Sequence, residues 1–145
     1  MDFAQADALN AAIRAIGMRH RALAAGLLAP LGLHPGQEIL LLELDAHGPR
    51  TQVQLATASG CEPPTITGSV RKLEDAGLVV RTPSPTDGRV TIVDLSERGR
   101  TLMPALRSAW IELGERTMAD VEMPVEQLSA ALSELARSLG RSENA

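Results

Sequence analysis

Apolar side chains recur at alternating steps of three and four residues at both ends of this chain. The N-terminal stripe consists of five apolar residues and one histidine, namely Leu9, Ile13, Ile16, His20, Leu23 and Leu27. The C-terminal stripes consist of Leu102, Leu106, Ala109 and Leu113, and then of Val125, Leu128, Leu132, Leu135 and Leu139. This spacing predicts helices with narrow apolar faces that suit pairing with another helix. The partner of each face is either the chain's own core or a second chain.

Two shorter helices follow the first long one. The first of them is predicted to start with Pro35 at its first helical position and to end before Gly48. Thr51 and Gln54 have the spacing of a capping box, which predicts a second, short helix. Gly60 ends that helix, so a tight turn separates it from the next segment.

Glu62-Pro63-Pro64 follows this turn and leads into the next helix, which is predicted to run to about Ala76. Its residues Ile66, Val70 and Leu73 stand at positions i, i+4 and i+7 and form one buried stripe. The opposite face is small and polar near the start of the helix and basic further along. It carries Pro64, Thr65, Thr67, Gly68, Arg71 and Lys72.

After this helix the hydrophobic pattern alternates. Residues 78–82 and 89–95 are typical of β-strands, and Asp87-Gly88 between them indicates a hairpin. Ser96 is suited to cap the following long helix. The predicted fold is therefore mainly α with a small β-hairpin (α+β).

Composition excludes several classes of protein. The chain has 145 residues, a net charge of -4 and a single cysteine, so an intrachain disulfide and a cysteine-built zinc site are ruled out. No apolar run reaches the ~18–20 residues of a membrane span, and the acidic N-terminus does not resemble a secretory signal. We expect a cytoplasmic protein with no membrane partner. The three histidines lack metal-ligand spacing and no catalytic motif stands out, so we expect no metal, no cofactor and no enzymatic activity.

A short helix, a tight turn and a second helix form a helix-turn-helix, whose second helix can lie in a DNA major groove. The threonines offer hydroxyl and methyl groups to bases, and the cations Arg71 and Lys72 can neutralise phosphates. A hairpin directly afterwards makes a winged helix. Its tip is expected to carry Arg81, Asp87 and Arg89 to the flanking backbone or the minor groove.

Residues 55–99 resemble the MarR family of bacterial transcription regulators. One matching stretch runs from Gly60 to Thr67 and leads into Arg71, Leu73, Glu74, Gly77, Leu78 and Val79. Another is the wing pattern of Asp87, Arg89, Val93, Leu95, Ser96 and Gly99. A third is the helix opening from Leu33 to Leu42, with its glutamine at Gln37. With the flanking helices the resemblance covers about residues 35–139.

The resemblance implies a homodimer that presents two winged helices to a pseudo-palindromic operator. Its N-terminal dimerisation helix would be residues 1–32, its winged helix-turn-helix 33–98 and its C-terminal dimerisation helices 99–145, all in one continuous structural unit. The expected dimerisation residues are Leu9, Ile13, Ile16, Val125, Leu128, Leu132 and Leu135. Such proteins usually repress, and a small anionic or phenolic ligand, or oxidation, releases them from DNA.

The same resemblance assigns roles to single residues. Arg89 matches the wing arginine that reaches the minor groove, and Asp87 matches the acid that holds the wing. Thr65, Thr67 and Arg71 fall on recognition-helix contact positions, and we expect Lys72 and Arg81 to anchor phosphates.

Three positions depart from the family pattern. His34 replaces the usual threonine cap, and Gly88 stands where the family often has a second arginine. Gly68 replaces a larger and often basic residue. These departures affect base specificity and wing affinity and not the fold.

Two alternative functions remain open. From Glu62 to Thr91 four basic residues balance four acids, so the reading unit is neutral and a protein-binding winged helix without DNA is one alternative. Cys61 lies where the positive end of a helix could activate a thiol for redox sensing, although a small buried turn residue is the simpler interpretation. His20 and Trp110 are weak candidates for an effector site, with structural roles as the simpler interpretation for both.

Overall fold

The computed structural model describes residues 1–142. Its elements in chain order are α1 (Phe3–Leu28), a single 3-10 turn (Ala29–Leu31), α2 (Gln37–His47), β1 (Arg50–Thr51), α3 (Gln52–Ser59), α4 (Pro63–Asp75), β2 (Val79–Pro83), β3 (Thr91–Leu95), α5 (Glu97–Met118) and α6 (Val125–Ser142). The predicted mainly α winged helix-turn-helix with long terminal helices is confirmed. The strand β1 is an addition that the sequence analysis missed.

The chain forms two compact units, one ending at Trp110 and one beginning at Ile111. The core of the first unit is aliphatic, as expected for a chain with 1% aromatic residues. Its residues that are at most 2% exposed include Leu28, Leu40, Leu41, Leu44, Leu55, Ile66, Val70, Leu73, Val79, Val93, Met103 and Leu106. Each such burial stabilises the fold by roughly 1.5–3 kcal/mol before conformational entropy is counted.

The predicted N-terminal stripe is largely exposed within the single chain. In α1 only Ala24 and Leu28, near the C-terminal end, are buried, whereas Leu9, Ile13 and Ile16 are 44%, 37% and 55% exposed. A helix of 26 residues with most of its apolar face in water is unusual for an isolated chain.

In the second unit the apolar stripe of α6 is also open. Val125, Leu132 and Leu139 are 51%, 45% and 56% exposed, and Leu128 and Leu135 are half-buried. The spacing of these residues matches the helical repeat over the whole length of α6.

The predicted start of α2 at Pro35 is wrong. Gly36 has φ of 104°, which is outside the helical region, so the helix begins at Gln37. His34 does not act as an N-cap through its side chain. Instead its backbone N–H donates to Gln37 Oε1 (2.9 Å), and the Gly36 N–H donates to Glu38 Oε2 (2.6 Å). The buried carboxylate of Glu38, 4% exposed, thereby holds the turn that precedes the helix.

The three strands form one antiparallel sheet in the order β1-β3-β2. In β2 and β3 Val79 pairs with Leu95 and Pro83 with Thr91, while β1 pairs Arg50 with Val93. Two residues are too few to show an alternating pattern, which is why β1 left no signal in the sequence.

The first turn of α5 packs closely against the end of α4 and the start of β2. Ser96 Oγ accepts from the Gly99 N–H (3.0 Å) and donates to the Gly77 carbonyl (2.5 Å), so the predicted cap is confirmed. A Cβ atom at Gly99 would lie 2.1 Å from the Leu78 carbonyl oxygen. Only a glycine fits at this contact, which fixes the sheet against α5.

Candidate nucleic-acid interface

The helix α4 is held by its buried stripe. Ile66, Val70 and Leu73 are 2%, 0% and 1% exposed, as the sequence predicts. The preceding helix α3 has the predicted capping box, in which the Gln54 N–H donates to Thr51 Oγ1 (3.1 Å) and the Thr51 N–H donates to Gln54 Oε1. Gly60 ends α3 with φ of 66°, which makes the tight turn between the two helices.

The opposite face of α4 lies in solvent. Its exposed residues are Pro64, Thr65, Gly68, Arg71 and Lys72. A helix exposed along this side is free to enter a groove about 12 Å wide.

Thr67 lies at the edge of that face and is half-buried. Gln52 Nε2 donates to its Oγ1 at 3.3 Å, and Gln52 Oε1 is buried without a hydrogen-bond partner among the described residues. The hydroxyl of Thr67 is thus oriented by α3 and is less available than those of fully exposed positions. The sequence analysis missed Gln52 because nothing in a sequence shows that residues fifteen apart will meet.

Arg81 is not at the tip of the wing, where the sequence analysis expected it. It lies in β2, opposite Val93, and its guanidinium forms two hydrogen bonds with Glu74 in the last turn of α4, Nε to Oε2 at 3.1 Å and Nη2 to Oε1 at 2.9 Å. The hydrogen bond from Arg81 lowers the pKa of the Glu74 carboxyl, and Glu74 in turn raises the pKa of Arg81. The pair joins the recognition helix to the wing.

Asp87 and Arg89 do lie at the wing tip. Asp87 Oδ1 accepts from the backbone N–H of Arg89 (3.1 Å) and from its Nε (3.2 Å), while Nη2 donates to Oδ2 (3.4 Å). These bonds lower the pKa of Asp87, mainly through the side-chain hydrogen bond from Arg89. The Arg89 side chain is 92% exposed, so its carbon chain lies in solvent while its guanidinium rests on the carboxylate.

The predicted hairpin is confirmed, with Asp87 and Gly88 in the loop between β2 and β3 and not in a two-residue turn of their own. Gly88 is not among the glycines with positive φ, and the strands are joined by a longer loop. The Val90 N–H donates to the Asp87 carbonyl (3.0 Å) and the Ser84 N–H donates to the Val90 carbonyl (2.8 Å). Asp87 therefore serves both as a turn residue and as the partner of Arg89.

A cavity of about 290 Å³ lies beside α4. Its lining includes the cationic or titratable residues Arg21, His34 and Lys72 together with Cys61 and Ile39. Cys61 is an exposed free thiol, so the simpler interpretation of a small buried turn residue is wrong.

The two candidate effector residues are elsewhere. His20 is exposed on α1 and Trp110 is half-buried on α5, and other side chains line this cavity. Among the described residues no group of three or more His, Cys, Asp and Glu side chains is placed to hold a metal ion. None of the described helices combines the length and apolar character that a bilayer crossing requires.

An exposed second helix after a tight turn, followed by a hairpin that carries an arginine at its tip, defines the winged helix-turn-helix class of DNA-binding proteins. The sequence profile of the MarR family matches residues 33–91. The chain belongs to the MarR family of winged-helix transcriptional regulators, and as a regulator it is not an enzyme, which confirms both predictions.

Three comparisons describe its relatives. The chain is 34% identical over 85 residues to the HTH-type transcriptional repressor NicR of Pseudomonas putida, covering 59% of this chain and 54% of NicR, so it spans about half the length of that relative. It is 30% identical to the transcriptional repressor CouR, solved on a 23-mer DNA duplex, with a TM-score of 0.78 over 90% of this chain and 92% of CouR. A mutant of MarR from E. coli in complex with operator DNA has a TM-score of 0.80 over 96% of this chain and 99% of that one, and at 20% identity it shows the likeness of fold alone.

Proposed function

We propose that this protein is a homodimeric repressor that binds a pseudo-palindromic DNA operator and is released by a small effector. The observation that carries the proposal is the exposed face of α4 beside an exposed wing arginine, in a chain whose relatives include a repressor solved on DNA. As a DNA-binding regulator it is expected to act in the cytoplasm.

The reading mechanism uses the two exposed elements. Thr65 and Arg71 contact bases in the major groove, and Thr67 contributes the hydroxyl that Gln52 orients. The small surface at Pro64 and Gly68 lets α4 approach the base edges closely, and Lys72 anchors a phosphate. Arg89 gives up its ion pair with Asp87 and enters the minor groove. For Arg81 a phosphate contact requires release from Glu74, so its main contribution is to hold the wing.

The dimer forms through the exposed terminal stripes. Leu9, Ile13 and Ile16 on α1 and Val125, Leu128, Leu132 and Leu135 on α6 are the residues we expect to be covered by the second chain. Burial of such stripes in a two-fold dimer would hold two recognition helices about one DNA turn apart.

The cavity beside α4 is a site for the effector. Arg21 and Lys72 offer positive charge to an anionic ligand, and Ile39, Leu40 and Ile66 offer apolar contact. Because Thr65 and Lys72 line the cavity and also lie on the exposed face of α4, a ligand in the cavity competes with DNA for the same side chains.

The test of DNA binding is a titration of genomic fragments against the purified protein at several salt concentrations. We expect retention of a small set of fragments, with affinity that falls steeply as salt rises. Absence of binding at ~50 mM salt would favour the protein-binding alternative, which the neutral charge of residues 62–91 supports.

A redox-sensing regulator is the second candidate, since Cys61 is exposed and lines the cavity. Peroxide treatment of the wild type and of Cys61→Ser on the same retained fragment distinguishes the two. Release of the wild type alone would support this candidate, and equal responses would exclude it.

A further inference from the structure

We propose that Arg71 selects a guanine in each operator half-site and that Gly68 marks the closest approach of α4 to the base edges. This inference rests on the proposed DNA binding and adds the identity of the base that the helix selects.

The cations near α4 differ in whether they already pair with a carboxylate of the same chain. From Arg50 to Arg89 there are five cations, and three of them face a carboxylate within the chain. Arg50 lies 3.7 Å from Glu43, Arg81 2.9 Å from Glu74 and Arg89 3.2 Å from Asp87. The other two, Arg71 and Lys72, are in none of the ion pairs of the described residues, and both are exposed on α4. The charge of Arg71 contributes to the lowered pKa of Glu74 but less than that of Arg81, which forms the hydrogen bonds with this carboxylate.

Arg71 and Lys72 differ in the geometry of the hydrogen bonds that they can donate to a base. A guanidinium is a planar group whose N–H donors are fixed in the geometry that matches O6 and N7 of guanine, whereas an ammonium, which can also reach these acceptors, is a flexible point charge without that fixed geometry. Asn and Gln are the side chains that recognise adenine in the same way, and α4 contains neither. On this helix Arg71 is thus the side chain equipped for two-bond recognition of a base.

Gly68 lies on the exposed side of α4. At about 100° per residue it stands opposite the midpoint of the buried stripe of Ile66, Val70 and Leu73. A Cβ atom there would meet nothing within 4 Å, and its φ is not positive, so neither packing nor backbone conformation requires glycine. Glycine inside a helix destabilises it relative to alanine, and close approach to another molecule is a remaining reason for its presence.

The experiment begins with selection of duplexes from a random-sequence library by the full-length protein. The enriched duplex is then rebuilt with 7-deazaguanine, which lacks the N7 acceptor, at each guanine in turn. Affinities are measured for the wild type, Arg71→Lys and Lys72→Ala. Arg71→Lys keeps the positive charge and removes the planar guanidinium. Lys72→Ala is the matched control, because it removes a positive charge that is proposed to contact a phosphate and not a base.

We expect one symmetric pair of guanines at which 7-deazaguanine weakens wild-type binding, by less than the roughly 5- to 150-fold of a complete two-bond contact, because the O6 acceptor remains. Arg71→Lys should also weaken binding to the unmodified duplex and should respond less to the modified base than the wild type does. Lys72→Ala should weaken all duplexes alike and flatten the salt dependence. An enriched duplex without such a pair, or an Arg71→Lys variant that discriminates as the wild type does, would overturn the inference while leaving DNA binding intact.

Gly68→Ala gives an independent readout. We expect it to keep or raise the melting temperature, because alanine favours the helix, and yet to weaken binding to the selected duplex. A variant with unchanged affinity would refute close approach at this position. If no duplex is enriched even at low salt, the proposed function itself fails and this inference fails with it.

Discussion

At the scale of single residues, the ion pairs decide which cationic side chains are already engaged within the chain. Arg81 and Glu74 are the clearest case, because their two hydrogen bonds tie the end of the recognition helix to β2. Glu74 was part of the family pattern and Arg81 was expected at the wing tip, but their pairing could not be foreseen, since the order of charges along a sequence does not show which groups meet in the fold.

The Glu74–Arg81 pair predicts a pH dependence of stability. The pKa of Glu74 is below its ordinary value of 4.5, so the stabilisation is fully present above that pH and is lost as the pH falls through the lowered pKa of the folded protein. We expect Glu74→Gln to be less stable than the wild type at neutral pH, with the difference shrinking in acid. Urea unfolding of both proteins from pH 7 down to the acid limit measures this, and a difference that does not vary with pH would contradict it.

Arg89 carries the prediction for the wing. Because its side chain is exposed and, within the described part of the chain, pairs with Asp87 alone, Arg89→Ala should weaken operator binding by about 1–3 kcal/mol and leave the dimer and its melting temperature unchanged. Fluorescence anisotropy with the retained operator measures the loss. Arg116→Ala, which removes a surface arginine from the last turn of α5, is the control. Equal affinities for the two variants would remove the wing from the mechanism.

At the scale of elements, boundaries marked by side-chain caps or by a glycine after the last helical turn were predictable, whereas the start of α2 was not. The capping box of α3 and the Ser96 cap of α5 follow from residue spacing, and both are present. The start of α2 was misplaced because the positive φ of Gly36 cannot be deduced from a proline that precedes it.

Gly99 provides the test at this scale. Its missing Cβ leaves room for the Leu78 carbonyl, so Gly99→Ala should force a backbone shift and destabilise the protein by about 1–3 kcal/mol or more. Gly68→Ala, at an open position in α4, is the matched control and should be neutral or stabilising. Denaturant unfolding of the two variants compares them, and similar midpoints would show that the contact of α5 with β2 adapts at no cost.

At the scale of the whole molecule, the apolar stripes of the terminal helices were predicted from residue spacing. Spacing does not show what a stripe packs against, so only the structure shows that they are largely exposed in the single chain. We expect Leu132→Asp to prevent dimerisation and with it high-affinity operator binding, because a charge on the stripe would have to be buried. Sedimentation at micromolar concentration measures the association state. Ala130→Asp places the same charge on the other side of α6 and should remain a dimer. A wild type that sediments as single chains would exclude the dimer altogether.

The internal neutralisation of Arg50, Arg81 and Arg89 has a consequence for how such a molecule finds its target. Retention on arbitrary genomic sequence depends almost entirely on counterions displaced by unneutralised positive groups. With a chain charge of -4, and with Arg71 and Lys72 as the cations of residues 50–89 outside these pairs, each copy should dwell only briefly on unrelated DNA. A cell would then need few copies to keep its promoter occupied, because little of the population is held elsewhere on the chromosome.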